Sequence, residues 1–343
     1  MKRISALFIS LLLALALLLS GCSPDISHGG FLGLLPFGDS SGGVSSSSGE
    51  PSSSAGPVET DEYAPEMWRV TSAEYPGSLY LFGSIHIGDD EMFPLPDYVE
   101  NAYAECGALA VECDIVAFEQ LPEWQIAEHY TPFLLNDGST IRDHLNADIY
   151  DAAKELLRGA GYYNPMMDYY NAAMWSSLVD QVAAESTGLK FENGIDRHFL
   201  NDAHKTGKKI LEIESVEFQY AMERSFSDEL YNLMMRGCVE DSFLDDYSDD
   251  LHRLLSCWKN GTVAIALGAE SDYSALTEEE RALAENYDKV TCDDRNVGMA
   301  DAAESYIKQG MNVFFVVGAA HMCGEKGVVA LLKARGYDVQ PVR

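Results

Sequence analysis

Apolar positions in this chain follow two rhythms. Short unbroken runs, such as Ala108 to Val111 and Asn312 to Val317, show no polar alternation, which is how strands buried on both faces read. Between them lie longer stretches with apolar residues three and four apart, the spacing of helices with one buried face. Strands are predicted over Met67 to Ser72, Ser78 to Gly83, Ala108 to Glu112, Lys209 to Ile213, Asn312 to Val317 and Asp338 to Val342. Tyr75-Pro76-Gly77 is a turn-forming triplet that makes the first two a hairpin. Helices are predicted over Pro94 to Cys106, Ala147 to Arg158, Asp168 to Glu185, Asp196 to Lys205, Val216 to Met235, Asp241 to Trp258, Asp294 to Gln309 and Lys326 to Arg335. Gly310 and Gly336 stand where the last two should stop.

This alternation is that of an α/β fold, a mixed sheet with flanking helices. The helical stretches at about 115–190 and 217–290 read as insertions forming a cap on a domain spanning 62–343.

The N-terminus has a different character. Lys2 and Arg3 precede a stretch from Ala6 to Leu19 that is apolar except for Ser10, and Leu19-Ser20-Gly21-Cys22 follows. This resembles a bacterial lipoprotein signal, which implies removal of residues 1–21, lipidation of Cys22, and a protein anchored by lipid to the extracytoplasmic face of a cell membrane. Residues 22–61 are rich in Ser and Gly and read as a flexible tether, with one apolar island, FLGLLPF, at 31–37.

Charge narrows the partners. Lys and Arg total 23 against 55 Asp and Glu, a formal net charge of −32, so nucleic acid is not an expected partner. Of the cysteines, Cys106, Cys113, Cys238, Cys257, Cys292 and Cys323 match no disulfide framework, and without Cys-x-x-Cys a tetrahedral thiolate zinc site is not expected.

Chemistry collects where strands end, as it does in open α/β sheets. LFGSIH runs from a strand into Gly83-x-x-His86, and VVGAAH repeats the step as Gly318-x-x-His321; Glu112 and Glu214 follow two other strands. Gly83 and Gly318 allow a sharp turn or a close approach. Two imidazoles with one or two carboxylates suit a divalent cation such as Zn, Mn, Co or Fe with a position open for water, and a carboxylate not bound to metal could act as general base. Either histidine alone would read as a structural residue; the matched pair points to one pocket.

LFGSIHIGDDEMFPLP at 81–96, LAVECD at 109–114, GIDRHFLNDAHKTGKKILEIESVEFQ at 194–219, DDRNVGMADAA at 293–303 and FFVVGAAHMCGEKGVVALLKARGYDVQPV at 314–342 together resemble the TraB/GumN family, which includes the Tiki-type membrane proteases. The resemblance implies a Tiki-like α/β fold with a helical cap, distantly related to erythromycin esterases and ChaN-like proteins. It implies a metal-dependent peptidase acting on a peptide or protein substrate, with His86, His321 and Glu112 required. Glu214, Gln219 and Arg295 also fall in matching motifs, Glu214 as a further candidate ligand. Arg295 would either hold a substrate carboxylate or oxyanion, or form an ion pair near a helix start. Asp294 replaces the family's usual Glu and would either reach the site differently or cap the helix. Two alternatives stay open, a metal-independent esterase-like hydrolase and a non-catalytic peptide-binding protein of TraB type.

Overall fold

The computed structural model describes residues 63–267 and 273–343; the lipoprotein-like signal, Cys22 and the Ser/Gly-rich tether lie outside the described residues. Six strands form one mixed sheet: β1 Met67–Thr71, β2 Ser78–Ser84, β3 Ala108–Val111, β4 Lys209–Glu212, β5 Asn312–Gly318 and β6 Asp338–Val342, in the order β4-β3-β5-β2-β1-β6. β1 pairs antiparallel with both β2 and β6, whereas β2, β5, β3 and β4 run parallel.

β2, β3 and β5 are apolar through their middles because both of their faces are covered, whereas β4, at the sheet edge, keeps Lys209 and Glu212 exposed. Phe82, Leu109, Val111, Phe314 and Val316 face a large cluster built with helices Asp97–Glu105, Ala172–Ser186, Ile195–Thr206 and Phe243–Lys259. Leu79, Leu81, Ala108, Ala110, Val313, Phe315 and Val317 face helices Asp294–Lys308 and Val328–Ala334. The chain therefore leaves β2 toward the first face and leaves the neighbouring β5 toward the second. Connections that diverge in this way open a crevice at the carboxyl ends of the two strands.

Several predicted elements divide or shift for local reasons. Val216 to Met235 forms two helices, Val216–Glu223 and Asp228–Met235, because the Ser227 side chain accepts from Leu230 N and starts the chain afresh. The stretch predicted from Asp168 becomes a tight turn, Pro165–Tyr169, and the helix begins only at Ala172, where the Asn171 side chain accepts from Met174 N. Asp294 starts nothing. A π-helical turn, Lys289–Asp293, carries helix Glu278–Asp288 straight into Asp294–Lys308, and the exposed Asp294 pairs with Lys289 Nζ at 2.5 Å. It therefore neither caps the helix nor reaches the crevice.

Candidate functional site

His86 follows β2, and its Nδ1 lies 2.6 Å from Asp196 Oδ2 in the first turn of helix Ile195–Thr206. That turn is held against the strand end by Ile195 N donating to Ile85 O at 2.9 Å, and it can come so close only because residue 194 is glycine, whose Cβ would meet His86 O at 2.4 Å. With Nδ1–H donated to the carboxylate, Nε2 is left for the crevice. Burial opposes a charge on this ring, but Asp196 outweighs it and raises the His86 pKa.

His321 sits in the short turn Ala319–Met322 after β5 and is almost fully buried. Its Nδ1 lies 2.7 Å from Asn296 Oδ1, while the Asn296 amide nitrogen donates to Lys326 O at 3.1 Å. The amide orientation is thus fixed, and it fixes the ring as the Nδ1–H tautomer with Nε2 free to accept. Burial, aided by the Arg295 charge, pushes the His321 pKa down to about 3, so the ring is neutral at physiological pH.

The carboxylates come from the adjacent strands. Ile213 N donates to Val111 O and Glu214 N donates to Glu112 O, which continues the β3–β4 pairing and sets the two acids side by side. Arg295 lies between them. Its Nη2 donates to Glu112 Oε2 and to Glu214 Oε2, the latter at 2.8 Å, its Nε donates to Glu214 Oε1 at 2.8 Å, and its Nη1 donates to Thr291 O at 3.1 Å. Gln219 Nε2 bridges both acids, at 3.2 Å from Glu112 Oε2 and 3.1 Å from Glu214 Oε2. Burial alone would raise the Glu112 pKa, but Arg295, the neighbouring imidazoles and the Gly318 N–H bring it down to about 2.

Of the two readings of Arg295, the ion pair is the one in place, since every guanidinium nitrogen is engaged by the protein. The same bonds occupy both Glu214 oxygens, so Glu214 is a second anion that holds Arg295 in place behind Glu112. Glu112 Oε1 takes the Gly318 N–H at 2.7 Å and lies 3.8 Å from His321 Nε2.

The two glycines have different jobs. A Cβ on Gly83 would lie 2.9 Å from Ala319 Cα, so its absence lets the β2 and β5 exits touch. A Cβ on Gly318 would stand 3.4 Å from Glu112 Oε1, 3.5 Å from His321 Cδ2 and 3.8 Å from His86 Nε2, in the space that all three face. That space opens into a cleft lined by Ser84, His86, Glu112, Arg295 and His321. The opposite wall is apolar and comes from the cap: Leu254, Trp258, Val263 and Leu267.

The donor chemistry suits a divalent ion at His86 and His321: two imidazoles with Nδ1 pinned and Nε2 turned to one cleft, the arrangement that orients metal-binding histidines. Among the described residues no three His, Cys, Asp or Glu side chains are gathered closely enough to hold an ion by themselves, so the protein would supply these two nitrogens and Glu112 only after a small adjustment of its carboxylate. Asp196 and Asn296 escaped the sequence reading although both lie within the family-like motifs. A polar residue in the first turn of a helix beside a candidate strand end was their only signal. The described cysteines are all unpaired.

A mixed sheet with a cap, carrying histidines on two neighbouring strand ends above buried acids, is the class of protein defined here. The chain belongs to the TraB/PrgY/gumN family, whose model matches residues 67–341. It is similar to "Uncharacterized protein YbaP" of Escherichia coli (strain K12), 24% identical over 271 residues that make up 78% of this chain and 92% of that protein. It is also similar to "Metalloprotease TIKI2" of Danio rerio, 22% identical over 333 residues, 83% of this chain and 62% of that protein. No solved structure matches it. The likeness to a metalloprotease hints at hydrolase chemistry.

Proposed function

We propose that the protein is a metal-dependent peptidase, tethered to the extracytoplasmic face of a membrane through Cys22, with His86 and His321 holding a divalent ion such as Mn, Co or Zn. The observation that carries this reading is the pair of Nε2 atoms presented to one cleft from adjacent parallel strands, each ring locked at Nδ1 by a helix side chain. When bound, the ion would supply the Lewis acidity and the acidification of water that peptide hydrolysis requires. The protein's own contribution is to keep both imidazoles in the ligating tautomer, to hold Glu112 ionised against burial, and to keep bulk water from the reacting carbonyl with the apolar wall. Glu112, with Arg295 and Gln219 on one oxygen and the Gly318 N–H on the other, is held as the carboxylate and serves as a fixed negative charge and potential ligand.

The His86–Asp196 pair supports a second reading. A histidine raised in pKa by a carboxylate and open to a cleft can draw a proton from water unaided, as a metal-free esterase requires. Exhaustive chelation separates the two: loss of peptide cleavage that returns with added Mn, Co or Zn supports the metal-dependent reading, and full activity in the chelated protein overturns it.

A further inference from the structure

Ser84, at the end of β2, is 3% exposed, and its Oγ has no hydrogen-bond partner among the described residues. A buried hydroxyl left unsatisfied is unfavourable, so this one calls for an explanation. Ser84 lines the cleft on the same strand end as His86. Its neighbour Gly83 is already committed, because its carbonyl accepts from Trp258 Nε1 at 2.8 Å. That bond consumes the polar edge of the indole, and Phe82 and Tyr63 pack against the ring with centroids at 5.9 Å and 6.4 Å. Trp258 thus adds only hydrocarbon surface to the wall formed with Leu254, Val263 and Leu267. Among the described residues Arg295 is the one Lys or Arg lining the cleft, and its guanidinium nitrogens are engaged by Glu112, Glu214 and Thr291 O.

We infer that this wall and Ser84 form a substrate subsite that takes one large apolar side chain, with the Ser84 hydroxyl bonding the main chain of the same residue. The inference rests on the peptidase reading and deepens it. A charged side chain placed here would be desolvated without a partner, whereas a Leu or Phe side chain would exchange water for the cap wall. The main-chain carbonyl or amide of the bound residue completes the hydrogen bond that Ser84 lacks.

The test uses the metal-supplemented full-length protein and peptides differing at one position, Leu, Phe, Lys or Glu, in an otherwise Ala background, with cleavage measured by mass spectrometry and binding by calorimetry. The wild type should prefer Leu and Phe over Lys and Glu by about 100-fold in kcat/KM, the size of effect that a mismatched pocket produces. Ser84→Ala should raise KM about three- to ten-fold with kcat little changed, the worth of one neutral hydrogen bond, while its melting temperature stays level or rises because an unsatisfied buried hydroxyl has gone. Leu267→Lys, at a half-buried wall position, should shift the preference toward the Glu peptide by at least about tenfold. Cleavage indifferent to side chain, or a Leu267→Lys protein that cuts with wild-type preference, overturns the subsite. If no peptide is cut, the peptidase reading fails on its own. Calorimetry still decides the subsite: tighter binding of the Leu peptide, weakened in Ser84→Ala, supports it, and equal binding of all four peptides overturns it.

Discussion

Asn296 Oδ1 lies 2.7 Å from His321 Nδ1 while the other end of the same amide is spent on Lys326 O, so one side chain both orients the ring and selects its tautomer. Asp196 does the same for His86 at 2.6 Å. Asn296→Ala and Asp196→Ala should each lower peptide cleavage and metal affinity by about 10- to 100-fold, the usual effect of losing a partner that orients a ligand. Circular dichroism spectra unchanged from wild type, together with metal titration, would separate this from misfolding.

Arg295 neutralises two buried acids at once. Arg295→Met leaves Glu112 and Glu214 facing each other without a counter-charge and should cost on the order of 3–5 kcal/mol in urea denaturation. Arg295→Lys should recover only part of that loss, because an ammonium cannot reach Glu112, Glu214 and Thr291 O with one planar fork.

The two strand-end glycines should separate stability from function. Gly318 has φ −46 and ψ 136, a backbone open to alanine, and its Cβ would meet only ordinary contacts. Gly318→Ala should therefore melt close to the wild type yet lose at least about tenfold in activity, because the methyl occupies the space between the imidazoles. Gly83→Ala drives a Cβ to 2.9 Å from Ala319 Cα and should destabilise by about 1–3 kcal/mol. Thermal melts run beside peptide cleavage check both.

Glu223 lies buried in the cap, where desolvation raises its pKa to about 7 from the usual 4.5 despite a hydrogen bond from Tyr231 and the Arg295 charge. The folded state thus binds this proton more tightly than the unfolded chain does. The stabilisation is complete below about pH 4.5 and is lost as pH rises through about 7. Glu223→Gln lacks this loss, so its melting temperature relative to wild type should climb between pH 5 and 8, reporting a relative gain in stability on the order of 2–3 kcal/mol at most. Parallel melts across that range give the difference directly.

The central strands β3 and β5 were legible because a strand covered on both faces must be apolar throughout, as in Phe314 to Val317 and Ala108 to Val111. The matched Gly-x-x-His steps were legible for the same reason, since each follows such a run. Asp196 and Asn296 were not. Helical periodicity marks Ile195, Phe199 and Ala203 as core, but which polar position of that helix meets a strand end is decided by packing between segments far apart in sequence. Arg295 was open in the sequence between substrate binding and ion pairing, and only its spatial neighbours could decide. Trp258 and Leu254 look like ordinary core positions of an amphipathic helix, and their second role as a cleft wall appears only once the cap lies over the crevice between β2 and β5.

The central claim is that His86 and His321 hold one divalent ion between them. Metal stoichiometry by mass spectrometry on the purified protein, His86→Ala and His321→Ala, each loaded with Mn, Co or Zn and dialysed, tests it most directly. The predicted result is about one ion per wild-type chain and near zero in either variant, with peptide cleavage lost in parallel. Equal metal content and equal cleavage in all three proteins would contradict it.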